Sequence, residues 1–224
     1  MKFCVIGLGY FGTHMVQALT ALGAEVMAVD SDEEHVEAVK DIATYAAIMD
    51  ASKTELLRKL PLRDMDAVIV AIGEDFESSL MVTAHLRKLD VKRIICRVIN
   101  PVHDELLELM GISERLVPEA VAANRLAKSL MFQGVINNFD LGDGFSILET
   151  IAPDKVIGKT LAQSRLREDH GVNLVTIRKA PIPGSDVTRR GTFFGVVQPS
   201  YVFEKGDILV LFGQTQDLEK FLKG

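Results

Sequence analysis

The sequence predicts an α/β protein: a doubly wound parallel sheet followed by a smaller α+β unit. Three observations predict it. Short apolar runs recur through the first half, each followed by a segment with helical spacing, the signature of βαβ units. The first run leads into Gly7-Leu8-Gly9-Tyr10-Phe11-Gly12. Beyond residue 137 the pattern changes to alternating strands separated by turn residues.

The opening unit is the most informative stretch. Lys2-Phe3-Cys4-Val5-Ile6 is apolar and partly β-branched, as for a strand buried on both faces. The G-x-G-x-x-G run follows, then a helix over 13–22 with Val16, Leu19 and Leu22 on one side, then a strand over 25–29 ending on Asp30. Strand, glycine loop, helix, strand and acid form the Rossmann-like dinucleotide-binding order. Each glycine has a physical role: Gly7 turns the chain off the strand, Gly9 lets backbone N–H groups approach a pyrophosphate, and Gly12 lets the helix pack close. The helix N-terminus supplies unpaired N–H donors and partial positive charge. Asp30 can accept both ribose hydroxyls of an adenosine and would repel a 2′-phosphate, which disfavours NADP. Alternatively, the same glycines could serve helix–strand packing alone.

The next elements extend this sheet. Ser31 is a candidate cap for a helix over 32–39. A third strand over 43–49 ends at Asp50-Ala51-Ser52, on the same sheet edge as Gly7 and Asp30. Asp50 and Ala51 are candidates for adenine contact, or Asp50 caps a helix over 53–60. Ala67-Val68-Ile69-Val70-Ala71-Ile72 is an unbroken apolar strand whose carboxyl end brings Ala71 to that edge, before Gly73 and a helix over 75–88. A fifth strand, 93–98, carries Arg97 near its carboxyl end, where it pairs with a buried carboxylate or reaches a phosphate. Pro101 opens a helix to residue 110, and 115–118 is a sixth strand.

The helix over 119–132 differs from the others. Ala122, Leu126 and Leu130 form one row and Ala123, Ala127 and Met131 another, a broader apolar face than one sheet contact requires. This predicts a helix that leaves the first domain and packs on a partner chain, against the simpler reading of an ordinary core helix. The domains are then 1–137 and 138–224. Asn137-Asn138 at the boundary and Gly142-Asp143-Gly144 beyond it read as turns. Strands are expected over 146–151, 173–178, 201–203 and 208–212, with Gly206-Asp207 as a turn and helices over 160–167 and 215–222. Residues 180–198, rich in Pro, Gly, Ser and Thr, read as a long exposed loop.

Composition bounds the function. Hydrophobic residues make up 48%, ample for a core, and the net charge is −6, all of it before residue 138. No basic nucleic-acid surface is present, and Arg189-Arg190 reads as a solvated pair. Cys4 and Cys96 fall in strands and read as buried free thiols of a reducing compartment. With the first strand starting at Lys2 and no apolar run long enough to span a bilayer, the expectation is a soluble cytoplasmic protein.

Two patterns together carry a resemblance. One is the N-terminal nucleotide-binding unit. The other is Val156-Ile157-Gly158-Lys159-Thr160-Leu161, Val175-Thr176-Ile177-Arg178, Pro199, and Gly206-Asp207-Ile208-Leu209-Val210 with Gly213. Over nearly its whole length the chain resembles the regulator-of-potassium-conductance (RCK) family of TrkA and KtrA type, an N-terminal RCK domain followed by a TrkA-C (RCK-C) domain. The resemblance implies a regulatory subunit of an integral-membrane potassium transporter or channel, cytoplasmic and peripheral to the membrane through that partner, forming homodimers that assemble into rings. It implies NAD(H), ADP or ATP in the N-terminal cleft, contacted by Gly7, Gly9, Tyr10, Phe11, Gly12, Asp30, Ser31, Asp50, Ala51, Ala71 and Arg97, with Glu119 close to the nucleotide of the dimer partner. Glu119 would also help bind a divalent cation or sodium at the dimer interface. Cyclic di-AMP between paired C-terminal domains, near Asn173, Ile177 and Pro199, is implied for some members. Tyr10 stands where several relatives carry an arginine facing the terminal phosphate, which favours NAD(H) relative to ATP.

The alternative function is an NAD-dependent oxidoreductase, which needs an acid or base against the nicotinamide. His14, His35, His85, His103 and His170 read as structural or solvated, with His170 in a polar turn. No Ser or Cys nucleophile is set beside a base. A DNA-binding redox sensor on the same fold would need a basic winged-helix segment before the first strand.

Overall fold

A computed structural model of the chain describes residues 1–131, 134–179 and 192–223. The chain divides into two compact units, Met1–Pro118 and Glu119–Gly224.

The first unit is a six-stranded parallel sheet. Its elements run β1 (Lys2–Ile6), α1 (Tyr10–Ala21), β2 (Glu25–Asp30), α2 (Glu33–Glu37), β3 (Tyr45–Ile48), α3 (Thr54–Leu57), β4 (Ala67–Val70), α4 (Phe76–Lys88), β5 (Ile94–Arg97), α5 (Pro101–Leu109) and β6 (Glu114–Leu116). Strand order is β3-β2-β1-β4-β5-β6, so β1 lies between β2 and β4, at the point where the order reverses. The sheet is covered on both faces, as its unbroken apolar strands require. Val5 packs with Val16, Val26 and Ile69 on one face. Cys4 and Ile6, one residue either side of it, pack with Val68, Leu86 and Leu107 on the other. Burial pushes the Cys4 thiol up to about 12 and Cys96 to about 11, so both stay protonated.

Several local expectations change. Helix α1 starts at Tyr10, so Tyr10, Phe11 and Gly12 are helical, and Leu22 lies past its end, exposed. Asp32, and not Ser31, caps α2: its carboxylate accepts from the Glu34 N–H at 2.8 Å. A carboxylate one residue later reaches the donor that a serine at 31 would miss. Helix α3 has only four residues with Lys53 at its cap position, so Asp50 is not its cap. Strand β4 ends at Val70, leaving Ala71 and Ile72 in the turn.

The second unit holds α6 (Pro118–Met131), whose first residue closes the first unit, then β7 (Val135–Gly142), β8 (Phe145–Ile151), α7 (Leu161–Ser164), α8 (Leu166–His170), β9 (Val172–Lys179), β10 (Asp207–Gln214) and α9 (Thr215–Lys223). Helix α6 thus groups with this unit, whereas the sequence reading keeps it with the first. The sheet is antiparallel, ordered β7-β8-β10-β9. Its core joins Leu148, Ile177, Phe203, Leu209, Leu211 and Phe221.

Here some turn signals mislead. Asn137 and Asn138 lie inside β7, where the Asn137 amide is satisfied from a helix and a strand: it accepts from Arg125 of α6 at 2.5 Å and donates to Glu149 of β8 at 2.7 Å. Gly142-Asp143-Gly144 does turn the β7–β8 hairpin, with Asp143 at φ 51. The expected helix over 160–167 is two short helices, broken at Arg165, whose φ of 46 is left-handed. Thr160 and Gln163 form a capping box on the first. His170 ends α8 and sets its ring against Phe221 at 5.1 Å, so it is a packing residue and not part of a polar turn. Residues 201–203 are not a strand; Val202 makes a single bridge to Thr160. Of the predicted long loop, residues 180–191, including Arg189-Arg190, lie outside the described residues, as does the expected helix end at Phe132.

Candidate nucleotide site

A cleft of about 540 Å³ opens at the carboxyl ends of β1, β2, β3 and β4. This is the position a doubly wound sheet offers to a ligand. Gly7, Gly9, Tyr10, Asp30, Ser31, Asp50, Ala51, Ala71 and Arg97, all expected at the site, line it.

The three glycines separate physically. Gly7 is left-handed at φ 92, and a Cβ there would come within 2.8 Å of the Ile72 backbone nitrogen. Gly12 packs on Gly7: a Cβ would reach the Gly7 carbonyl carbon at 2.9 Å and its oxygen sooner. These two hold helix and strand together. Gly9 is different, because a Cβ there meets nothing within 4 Å. It is the cap residue of α1 and uses no side chain to satisfy the helix end. The N–H donors of the first turn are therefore left for a ligand.

Asp30 is held from two sides. The Leu8 N–H donates to Oδ2 at 2.5 Å and the Asp32 N–H to Oδ1 at 2.9 Å. One of these bonds comes from the glycine loop itself, so the loop and the acid fix each other. Each carboxylate oxygen keeps a further lone pair for a hydroxyl donor. His35 Nδ1 stands 3.5 Å from Asp30 Oδ2 and lines the same cleft. His35 is therefore not simply a solvated helix residue, although it stands on the Asp30 side.

Asp50 folds back on its own turn, accepting from the Ser52 hydroxyl at 2.6 Å and the Ser52 N–H at 3.0 Å. Those bonds, Ser52 hydroxyl first, hold its carboxyl below the usual range. Asp75 caps α4 in the same way through Ser78, whose hydroxyl is the main cause of its lowered pKa. Both carboxylates therefore stay charged at the cleft. Tyr10 exposes 85% of its surface at the mouth, with its ring edge against His14 at 4.5 Å.

Two expected contacts line other parts of the first unit. Phe11 lines a separate apolar groove with Phe3, Met15 and Leu19. Gly12 is in the packing contact described above. Glu119, expected at the nucleotide of the dimer partner, lies in the first turn of α6. Arg97 lines both cleft and groove, with its Cζ 5.7 Å from the Phe11 ring centre.

Beyond Ala71, sequence reasoning missed the rest of the β4 side of the cleft: Ile72, Gly73, Glu74, Asp75 and Ser78. The signal was available, since β4 neighbours β1 and its carboxyl end obeys the rule that picked out Asp30. Among the described residues, no three His, Cys, Asp or Glu side chains gather as a metal would require.

The comparisons with known proteins match this arrangement. Residues 3–118 match the TrkA-N domain and residues 147–223 the TrkA-C domain. The chain is similar to Ktr system potassium uptake protein C of Bacillus subtilis (strain 168), 34% identical over 224 residues, 99% of this chain and 96% of that one. Its fold is similar to the crystal structure of the GsuK RCK domain, at TM-score 0.63 and 18% identity, over 99% of this chain and 47% of that chain. Over 58% of this chain it is also similar to the NAD(P)-binding domain of an exopolyphosphatase-related protein from Archaeoglobus fulgidus, at TM-score 0.52 and 29% identity, covering 96% of that chain. Two family domains in this order, with a full-length relative of this kind, make the chain a member of the TrkA-N/TrkA-C family to which the Ktr system potassium uptake proteins are similar.

Proposed function

We propose that this protein is a nucleotide-sensing gating subunit of a potassium uptake system. An adenosine nucleotide, NAD(H) or ADP/ATP, binds in the first unit's cleft. Binding biases a conformational equilibrium that an integral-membrane transporter or channel subunit reads. The observation that carries the reading is the Asp30–Leu8 clasp beside the open space at Gly9. It pairs an acceptor for a ribose diol with donors for a phosphate. The relative's name supplies the potassium system, and the similar NAD(P)-binding domain supports a dinucleotide.

The ligand is read and not converted. His35 is the histidine that lines the cleft among the described residues, and it stands at the ribose side. An oxidoreductase would instead need its acid or base at the nicotinamide. Tyr10 at the mouth, in place of a cationic side chain, favours NAD(H) over a triphosphate.

A homodimer building toward a ring is supported by α6. Val121, Leu126, Leu130 and Met131 are each more than half exposed in the single chain. Glu119, on the same helix, would bind its divalent cation or sodium only with groups from the assembly. Cyclic di-AMP at paired second units would meet Asn173 and Pro199 but not the Ile177 side chain, which is fully buried. No helix among the described residues is long and apolar enough to cross a membrane, which suits a cytoplasmic subunit held there by its partner.

The test is direct. The purified chain is titrated with NADH, ADP and ATP while its mass and shape are followed by light scattering and small-angle scattering. Saturable binding with a ligand-dependent change in the assembly is expected. Hydride turnover with a small substrate, or no binding of any of the three, overturns the proposal.

A further inference from the structure

We infer that Gly73 is a positioning residue for Arg97: its missing side chain leaves the space in which the guanidinium reaches the nucleotide cleft. This rests on the nucleotide reading above and concerns the phosphate end of that site. A Cβ built on Gly73 would lie 2.7 Å from the Arg97 Cζ, 3.3 Å from Nε and closer still to Nη1. The φ of Gly73 lies outside the left-handed region, so its backbone does not demand glycine. Contact with Arg97 is what excludes a side chain.

Gly7 and Gly12 show the contrast. Added carbons there strike backbone atoms, which cannot yield. At Gly73 the obstructed group is the far end of a flexible side chain. Alanine is therefore accommodated by moving the guanidinium, and the fold is kept. Arg97 comes from β5 and Gly73 from the turn after β4, so two adjacent strands set one charge. The Phe11 ring lies beside the same guanidinium. Glu74 and Asp75 follow Gly73 directly and line the cleft. A displaced Arg97 would leave those carboxylates opposing an incoming phosphate.

The experiment measures binding of ADP and of adenosine to the wild type, Arg97→Gln, Gly73→Ala and the double variant. Adenosine lacks the phosphate and reports the rest of the site. R97Q should weaken ADP about tenfold or more, as for a lost charge-assisted bond, and leave adenosine unchanged. G73A should reproduce most of that loss, again for ADP only, and the double variant should bind as R97Q does. Normal ADP binding by G73A alongside a weakened R97Q overturns the role of Gly73 and leaves the nucleotide reading standing. An R97Q that binds ADP normally overturns the inference through Arg97, whereas a wild type that binds neither ligand removes the nucleotide reading as well. With Arg97→Ala the obstructed group is gone, so G73A/R97A must fold as R97A does; unfolding there also overturns the inference.

Discussion

The two units treat their polar groups in opposite ways. In the first, Asp30, Asp50, Asp75 and Arg97 sit around an open cleft, and the carboxylates are fixed by neighbouring N–H and hydroxyl groups. In the second, charged groups close on each other. Asp207 is fully buried, accepting from the Tyr201 hydroxyl at 2.8 Å and the Glu204 N–H at 2.9 Å, and it meets the Lys179 ammonium at 2.6 Å. Arg178 and Glu149 form a second largely buried pair at 3.4 Å, extended through Asn137 to Arg125. The lesson is one of geometry. Parallel strands point one set of ends at a crevice, so polar residues collected there stay available. Antiparallel pairing sets the start of one strand against the end of its neighbour, as Asp207 of β10 faces Lys179 of β9, and the same residue types become struts.

The strongest way to test that contrast is to break the Asp207 cluster. Asp207→Ala leaves the Tyr201 hydroxyl and Lys179 without their partner. A broken buried pair costs several kcal/mol, and the partial exposure of Lys179 reduces that figure. The expected loss is about 2–4 kcal/mol in urea unfolding, confined to the transition of the second unit. Nucleotide affinity should not change; a parallel loss of binding would mean the two sets of polar groups are not independent. Burial by itself would lower the Lys179 pKa, yet its bonds to Asp207 and Glu204 carry it well above the lysine range. A raised lysine contributes stability that is lost only as pH climbs through the alkaline range, so this strut is intact at neutrality.

The reciprocal change is Asp30→Ala. It removes the ribose acceptor and the partner of the Leu8 and Asp32 N–H groups. Adenosine nucleotide affinity should fall by about 1.5–3 kcal/mol, the worth of charge-assisted bonds, with the second unit's unfolding unmoved. Calorimetric titration reads it, and an unchanged dissociation constant would take Asp30 out of the site.

The same contrast explains what could be read from the sequence. The first unit was legible because its signals are local: an apolar strand, a glycine run and an acid at the next strand's end occupy thirty consecutive residues. The rest of the cleft comes from Gly73, Glu74 and Asp75, more than forty residues further on, and only the strand order brings them to Gly7. Phe11 was misplaced for a related reason. Helix α1 begins at Tyr10, three residues earlier than its spacing suggests, so Phe11 belongs to the helix and its ring joins the apolar groove of Phe3, Met15 and Leu19. In the second unit, Asn137 carries a local turn preference that its cross-strand bond to Glu149 overrides. Local chemistry proposes a turn there, and a partner twelve residues away decides otherwise.

The smallest effect concerns His103, where the first unit does bury a titratable group. Its ring is fully buried beside Phe76 at 5.3 Å, and Nδ1 accepts the Ile99 N–H at 3.1 Å. That bond needs a lone pair on Nδ1, so the folded state requires the neutral ring. Burial accordingly lowers its pKa, with the nearby Asp104 carboxylate opposing. In the unfolded chain the ring protonates first as pH falls. Folding stability from this group is therefore complete above the ordinary histidine value and declines as pH drops below it toward the folded value. One proton limits the slope to about 1.4 kcal/mol per pH unit. Unfolding followed from pH 7 to 5 should show the first unit weakening and His103→Gln removing that slope, while the second unit's transition keeps its pH profile. A slope that survives H103Q would assign it to another group. Because Ile99 lies two residues beyond Arg97, acid that breaks the Nδ1 bond also loosens the strand end that carries the cleft's arginine. Nucleotide affinity should then weaken over the same interval in the wild type, and less so in H103Q.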